Sequence, residues 1–398
     1  MEDLPSAFDV TQTAKRRREN MDDKAKDLKD SGDSANNSLI SEIGRDLSME
    51  CLARCARVDY GKILMVNRSF KSVILSGDEL YKLRRKLGII EYWVYFSCNR
   101  AEWEAFDTVG RQYRGLPPIP ASECFKCCDM ESLAVGTELL VFGREVQSLT
   151  VYKYSVVTDS WVDGVTPNTP RCLFASGSLG EIAIVAGGCD SEGKILGSAE
   201  MYDSNKGMWR ALPSLNTPRK SCSGVVMDER FYAIGGIGLG EKSVDSEAGN
   251  PKVLTSGEVF DMKTNLWVEI PNMLPGHIVE GVDEYSHAAM KSPPLLAVVK
   301  NELYAAYHEE MLLKKYNKSM NVWTTIGRLP ENASSTNGWG LAFRGCGDLL
   351  IVIGGPQAMN YGFLEINAWE PKEGPPEWTL LSRKDSKSFV YNCAIMGC

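Results

Sequence analysis

Five times along this chain an aromatic that ends one short apolar run is followed seven residues later by an aromatic that opens the next. The pairs are Phe106/Tyr113, Tyr154/Trp161, Tyr202/Trp209, Phe260/Trp267 and Tyr316/Trp323; a sixth, Trp369/Trp378, is nine apart and holds Pro375-Pro376 in its wider turn. The first members stand 48, 48, 58, 56 and 53 residues apart. Self-similarity at such a period means that one supersecondary unit is used again and again. Here the unit is a hairpin with a strand-end aromatic, a polar turn and a packing aromatic. Upstream of it, apolar runs end in double glycine at Gly187-Gly188, Gly235-Gly236 and Gly354-Gly355, with only Gly143 in the second copy and Ala305-Ala306 in the fifth. Glycine at these places fits backbones that turn where strands crowd around an axis. Each repeat therefore reads as one four-stranded blade of a six-bladed β-propeller.

Counting strands predicts how the ring closes. Residues 92–116 supply only three strands, at 93–97, 102–107 and 112–116, and residues 389–396 form one more apolar strand with no blade of its own. With five complete blades between them, the final strand is expected to become the innermost strand of the first blade, which removes the open edges of an incomplete ring.

The chain before residue 90 has a different character. Residues 1–38 are mostly charged or small, with Phe8 as the only aromatic, and bury too little to offset their conformational entropy, so a disordered tail is expected. The run Lys15-Arg16-Arg17-Arg18 within it has the composition of a nuclear import signal as much as of a solvated charge cluster. The expected location is the nucleus, with the cytoplasm as second compartment. Residues 39–88 read as three short amphipathic helices. Met49, Leu52, Ala53 and Ala56 share one face, with Ser48 as N-cap. Ile63, Val66, Phe70, Val73 and Ile74 form a second stripe. Ser76-Gly77-Asp78-Glu79 has the form of a capping box ahead of Leu80, Leu83 and Leu87, with Lys82, Arg84, Arg85 and Lys86 on the opposite face. Fifty residues of this kind make a marginal core and are expected to pack on a neighbour or a partner.

Charge separates the regions: net −2 over residues 1–38, +4 over 39–88 and −10 over 89–398. An acidic main domain disfavours nucleic acid, whose phosphates need Lys and Arg, and suits a basic or neutral protein partner. No window of 18 apolar residues or apolar leader occurs, so neither membrane insertion nor export is expected, and the 12 cysteines read as reduced thiols.

The elements Gly-Gly, then Tyr202-Asp203, Phe106-Asp107 or Phe260-Asp261, then an aromatic seven residues on, resemble kelch repeats. Residues 41–88 resemble an F-box. In this order, over about residues 39–398, the combination resembles the plant F-box/kelch-repeat proteins. The resemblance implies an F-box that docks on a Skp-type adaptor, and through it a cullin, within a ubiquitin ligase, while the propeller captures an unknown target protein. Leu47, Leu52, Val66 and Phe70 match the apolar F-box positions that pack the helices or face the adaptor. The sequence departs from the F-box pattern in having Ile43-Gly44-Arg45-Asp46-Leu47 where Leu-Pro is usual, and Phe70 where Trp is usual.

Strand direction alternates within a blade, so the loops between strands two and three and the links between blades open on one face, the expected partner-binding face. Thr169-Pro170-Arg171 and Thr217-Pro218-Arg219 fall there. Arg171 and Arg219 either grip carboxylates of a partner, or cover a Trp or pair with an acid of a neighbouring blade. The long segments 237–256 and 275–294, the latter with His277 and His287, fall there too. Catalytic chemistry is not legible. The three histidines make no zinc spacing, Cys124-x-x-Cys127 stands without a second pair, and the glycine-rich stretch 235–240 lacks the Lys of a phosphate loop. The expectation is a non-catalytic ubiquitin-ligase substrate receptor without cofactor or metal. A kelch scaffold outside any ligase, or less readily a propeller enzyme, are the alternatives.

Overall fold

The computed structural model describes residues 39–40, 42–99, 102–122, 125–145, 148–240, 249–274, 291–358 and 361–398. The expectations for residues 1–38 lie outside them, as do His277, His287 and Cys124. The chain divides into two compact units, Met1–Arg84 and Arg85–Cys398.

The first unit contains helices α1 (Gly44–Arg54), α2 (Arg57–Ile63) and α3 (Arg68–Ser76), and helix α4 (Asp78–Lys86) begins in it. Among the described residues of 39–88 there are four helices where three were expected, because the stripe from Ile63 to Ile74 is broken by a turn at 64–67. Asn67 restarts the helix there: its side chain accepts from the Phe70 amide. Two expected caps are different in kind. Ser48 lies inside α1, buried, with its hydroxyl donating to the Ile40 and Gly44 carbonyls. Ser76 ends α3, its hydroxyl donating to the Val73 carbonyl, and Gly77 at φ 62° turns the chain into α4. Gly77 then offers its carbonyl to the Tyr81 amide. A left-handed C-terminal residue suits glycine and leaves no place for a serine capping box.

Arg84, expected on the charged face, is fully buried. Its guanidinium donates to the carbonyls of Ala53 at 2.9 Å and Cys55 at 2.8 Å and to the Tyr60 hydroxyl at 2.8 Å. Tyr60 in turn donates to the Leu52 carbonyl. A cation at the end of α1 satisfies carbonyls that have no helical partner and complements the helix dipole.

The second unit is a six-bladed propeller. Four-stranded antiparallel sheets follow one another along the chain. The second blade runs from Phe125–Val135 to Ser160–Asp163, the third from Ala175–Leu179 to Met208–Leu212, the fourth from Ser223–Met227 to Leu266–Ile270. The fifth runs from Leu296–Val299 to Val322–Arg328 and the sixth from Ala342–Cys346 to Thr379–Asp385. The first blade is completed from the other end of the chain. Asn392–Gly397 pairs antiparallel with Tyr92–Ser97, Val94 standing opposite Ile395. The leading strands of all six blades also touch in ring order, Asn392–Gly397 lying between Phe125–Val135 and Ala342–Cys346. The expected closure is therefore observed. A ribbon of Ile237–Leu239 with Pro251–Val253, and the two-residue strand Gln357–Ala358, are added to the blades.

The repeated aromatics explain the period. In the first five pairs the two rings stand directly opposite on adjacent strands, with centroids 4.8 Å apart for Phe106/Tyr113 and 5.1 Å for Tyr202/Trp209. Such contacts contribute about 0.5–1.5 kcal/mol each beyond their burial. The second aromatic has a further task. Trp161, Trp209, Trp267, Trp323 and Trp378 donate their indole N–H to the carbonyls of Pro117, Val165, Pro213, Met273 and Arg328. Each acceptor lies where the preceding blade ends. In the first blade Tyr113 stands in this place and donates to the Ser382 hydroxyl of the sixth.

The glycines divide the work otherwise than expected. Gly187 and Gly188 adopt φ 70° and 91°, and a Cβ would meet the Arg219 carbonyl at 2.4 Å from the first and the Cys172 carbonyl at 2.5 Å from the second. The crowding is against the segments that lead into blades. Close approach between leading strands falls instead to Gly224 against Ser176 and Gly345 against Val298.

Candidate functional site

Two surfaces carry the functional expectations, one on each unit. On the helical unit Leu47 on α1 is 57% exposed and Val66, in the turn after α2, is 67% exposed. Phe70 on α3 is half-buried. Leu52 is buried against the α1 core and offers nothing to a partner, so of the four expected positions it is the packing residue. Four more apolar side chains point outward that were not among the expected adaptor positions: Ile43, Val58, Leu75 and Met65, the last 82% exposed. Met65 sits beside Val66 in the same turn, and only the break in the helix reveals that both are outside. So many bare apolar side chains on so small a unit mark it for docking.

On the propeller, the segments leading into blades and the loops between strands two and three do share a face. Cys172 and Cys189 bridge one such pair of segments in the third blade, Lys220 and Ile237 another in the fourth. Arg171 and Arg219 lie at this end, but neither guanidinium reaches solvent. Arg219 donates to the carbonyls of Gly235 and Ser256 and, at 2.9 Å, to Glu258. Glu258 also accepts from the amides of Asn216 and Thr217. The third blade repeats the arrangement: Arg171 donates to Gly187, Ser198 and Glu200, and Glu200 accepts from Asn168 and Thr169. The partner-gripping reading of Arg171 and Arg219 is corrected by this burial. Each arginine ties the lead-in of its own blade to that blade's third strand, and the bonds to carbonyls and carboxylate offset the burial of both ions, although the Arg219 Nε is left without a partner. Burial also pulls the Arg171 guanidinium below its ordinary pKa, with Glu200 opposing the shift.

The fifth blade has lost this lock. Counted from the strand-end aromatic Tyr316, the place of Gly-Gly is held by Tyr307-His308, not by Ala305-Ala306 as the sequence alone indicated. Lys314 stands where the acid should be and Lys291 where the arginine should be. Lys314 lies 3.8 Å from the Tyr307 ring centroid and Lys291 pairs with Glu309 at 3.0 Å. Burial lowers the pKa of His308, with Lys291 adding to the shift and Glu309 opposing it. Between the fourth and fifth blades lies a cleft of about 190 Å³, with Ile237, Leu254, Leu274 and Pro294 as its apolar walls and Tyr307 and His308 beside them.

A second concavity is the central channel, lined by the leading strands of all six blades. Its lining is mostly small: Ser132, Ser176, Gly177 and Ser223 beside Arg344, whose guanidinium donates to the Cys393 and Phe343 carbonyls. Among the described residues no cluster of three or more His, Cys, Asp or Glu converges in metal-binding geometry, and no helix is long and apolar enough to cross a membrane.

The kelch motif is matched over residues 170–216 and 218–274, the third and fourth blades that keep the buried arginine lock. Among curated proteins the chain is similar to three Arabidopsis thaliana relatives. F-box/kelch-repeat protein At1g26930 is 54% identical over 93% of this chain and 86% of its own length. F-box/kelch-repeat protein SKIP11 is 53% identical over 92% and 77%, and F-box/kelch-repeat protein At1g74510 is 50% identical over 91% and 79%.

Proposed function

The chain belongs to the plant F-box/kelch-repeat family, and on that footing we propose that it is the substrate-recognition subunit of a Skp-cullin-F-box type ubiquitin ligase. Helices α1 to α4 dock on a Skp-type adaptor, and the propeller holds the protein to be ubiquitinated. The observation that carries this reading is the outward set Leu47, Met65 and Val66 on a unit whose own core is already closed by Leu52, Tyr60 and Arg84. Apolar side chains left bare by a finished core are accounted for by a partner that covers them. The propeller's part is capture rather than catalysis. Its looped face offers the cleft beside Tyr307 and His308, and the acidity of residues 89–398 favours a target with basic surface.

The test is co-purification with a Skp-type adaptor, comparing the intact chain with Leu47→Asp/Val66→Asp. Loss of the adaptor from a variant that melts as the parent does supports the receptor reading. Retention of the adaptor by that variant removes Leu47 and Val66 as the contact, and no adaptor on the intact chain favours a propeller scaffold outside any ligase.

A further inference from the structure

Cys172 and Cys189 form an antiparallel bridge between the lead-in of the third blade and the loop that follows Gly187-Gly188. Each donates its amide to the other's carbonyl, at 2.9 and 2.8 Å. Directly opposed residues that exchange both bonds have Cα atoms about 5.5 Å apart, within the span a disulfide bridges. The two sulfurs are already 3.5 Å apart, in hydrogen-bond contact as reduced thiols. Arg171, beside Cys172, bonds to the Gly187 carbonyl and so holds the two segments together before any covalent link.

We propose that Cys172 and Cys189 are a site of reversible oxidation, closing to a disulfide under hydroperoxide. The Cys189 thiolate attacks one oxygen of the peroxide, the O–O bond breaks, and the departing hydroxide leaves as water after taking a proton from solvent. The resulting sulfenic sulfur is attacked by the sulfur of Cys172, whose proton leaves with the displaced hydroxide as a second water. Two thiols are oxidised by two electrons and one peroxide is reduced to two waters. The link fastens residues 17 apart along the chain and fixes the lead-in of the third blade to its own hairpin.

The surroundings set this pair apart from Cys98, Cys222, Cys346 and Cys393. The hydrogen bond from Cys172 lowers the Cys189 thiol to about 7 against the effect of burial, with Lys220 and Arg144 adding to it. Cys189 is itself buried, with the partly exposed Cys172 sulfur beside it. By contrast burial pushes Cys222 and Cys393 up to about 11, and Cys98 and Cys346 up to about 12. Those thiols stay protonated at neutral pH and are poor nucleophiles.

The experiment uses the full chain in the reduced state, treated with hydrogen peroxide near neutral pH, blocked with iodoacetamide, digested and mapped by mass spectrometry. The expected product joins the peptides of Cys172 and Cys189, is two hydrogens lighter than their sum, and disappears on reduction with dithiothreitol. The oxidised protein melts higher than the reduced one. Full alkylation of both residues after peroxide, or a sulfinic acid on Cys189 with Cys172 alkylated, overturns the proposal. In Cys172→Ser the sulfenic acid has no resolving thiol, so Cys189 is expected to take up dimedone. A folded variant without the adduct counts equally against it.

Discussion

Arg219 and Glu258 meet at 2.9 Å with neither side chain touching solvent. The carboxylate also takes two backbone amides, and the guanidinium two backbone carbonyls. The ion pair is thus one part of a polar knot that fixes where the fourth blade begins relative to its third strand. The same knot in the third blade uses Arg171 and Glu200 at 2.8 Å. Stability in such a site depends on the pairing, because a buried charge deprived of its partner is more costly than no charge at all.

Arg219→Ala is accordingly expected to destabilise the propeller by about 3–5 kcal/mol, the cost of an uncompensated buried carboxylate. The double variant Arg219→Met/Glu258→Gln is expected to lose less than Arg219→Ala alone. Urea denaturation of the three proteins measures the difference; equal losses would show the ion pair to be incidental.

Removing residues 388–398 takes away the partner strand of Tyr92–Ser97 and opens the ring on both sides of it. The expected result is aggregated protein in size-exclusion chromatography, because a bare inner edge is a template for pairing. A soluble monomer with the parent melting temperature would contradict the role given to this strand.

On the helical unit Leu52→Asp and Leu47→Asp should behave oppositely. A carboxylate in the place of buried Leu52 is expected to unfold α1 to α4, as seen by loss of helical circular dichroism, since an unpaired charge and a lost apolar contact act together. At exposed Leu47 the same change is expected to shift stability by no more than about 0.5 kcal/mol.

Asp228 links the fourth and fifth blades by accepting from Lys318 at 3.0 Å and from the Asn301 side chain. Burial pushes its pKa up, but the bonds from Lys318 and Asn301 outweigh this and hold it below the usual carboxylate value. A lowered folded pKa gives stability that is present above the unfolded pKa and lost as pH falls through the folded one. Asp228→Asn should therefore cost up to about 1 kcal/mol at neutral pH, as an exposed pair, and nothing once the parent carboxyl is protonated. Thermal melts across the acid range test this.

The basic run Lys15-Arg16-Arg17-Arg18 is proposed as a nuclear import signal. Replacing all four with Ala in a fluorescent fusion should shift the protein towards the cytoplasm; an unchanged distribution removes the proposal.

The repeat was legible because its signal is covalent spacing: two aromatics must oppose each other across one turn, and a seven-residue interval encodes that. Ring closure was legible for a similar reason, since strands must be paired and the count left one over. Burial was far less legible. Arg84, Arg171 and Arg219 look like surface residues in any sequence, and only the three-dimensional supply of carbonyls and carboxylates makes their interior places tenable. Register was the other blind spot. Ala305-Ala306 resembled a decayed Gly-Gly, yet pairing with the third strand puts Tyr307-His308 there. For the same reason the cleft of the fifth blade was invisible: the residues beside it, Tyr307 and His308, stand where a glycine pair was expected. Met65 and Val66 were hidden in a pattern that continued smoothly across a helix break.

The indole bonds between blades all run in one direction along the chain. Each of Trp161, Trp209, Trp267, Trp323 and Trp378 reaches back to a carbonyl 44 to 54 residues earlier, never forward. During synthesis every new blade thus finds its anchor already made and can latch on as it emerges, each step a local event. Only the first blade must wait: its Tyr113 bond reaches 269 residues forward to Ser382, and its missing strand is Asn392–Gly397. The nascent protein is therefore a growing arc with one unfinished end, and the circle becomes possible only once Asn392–Gly397 can reach Tyr92–Ser97.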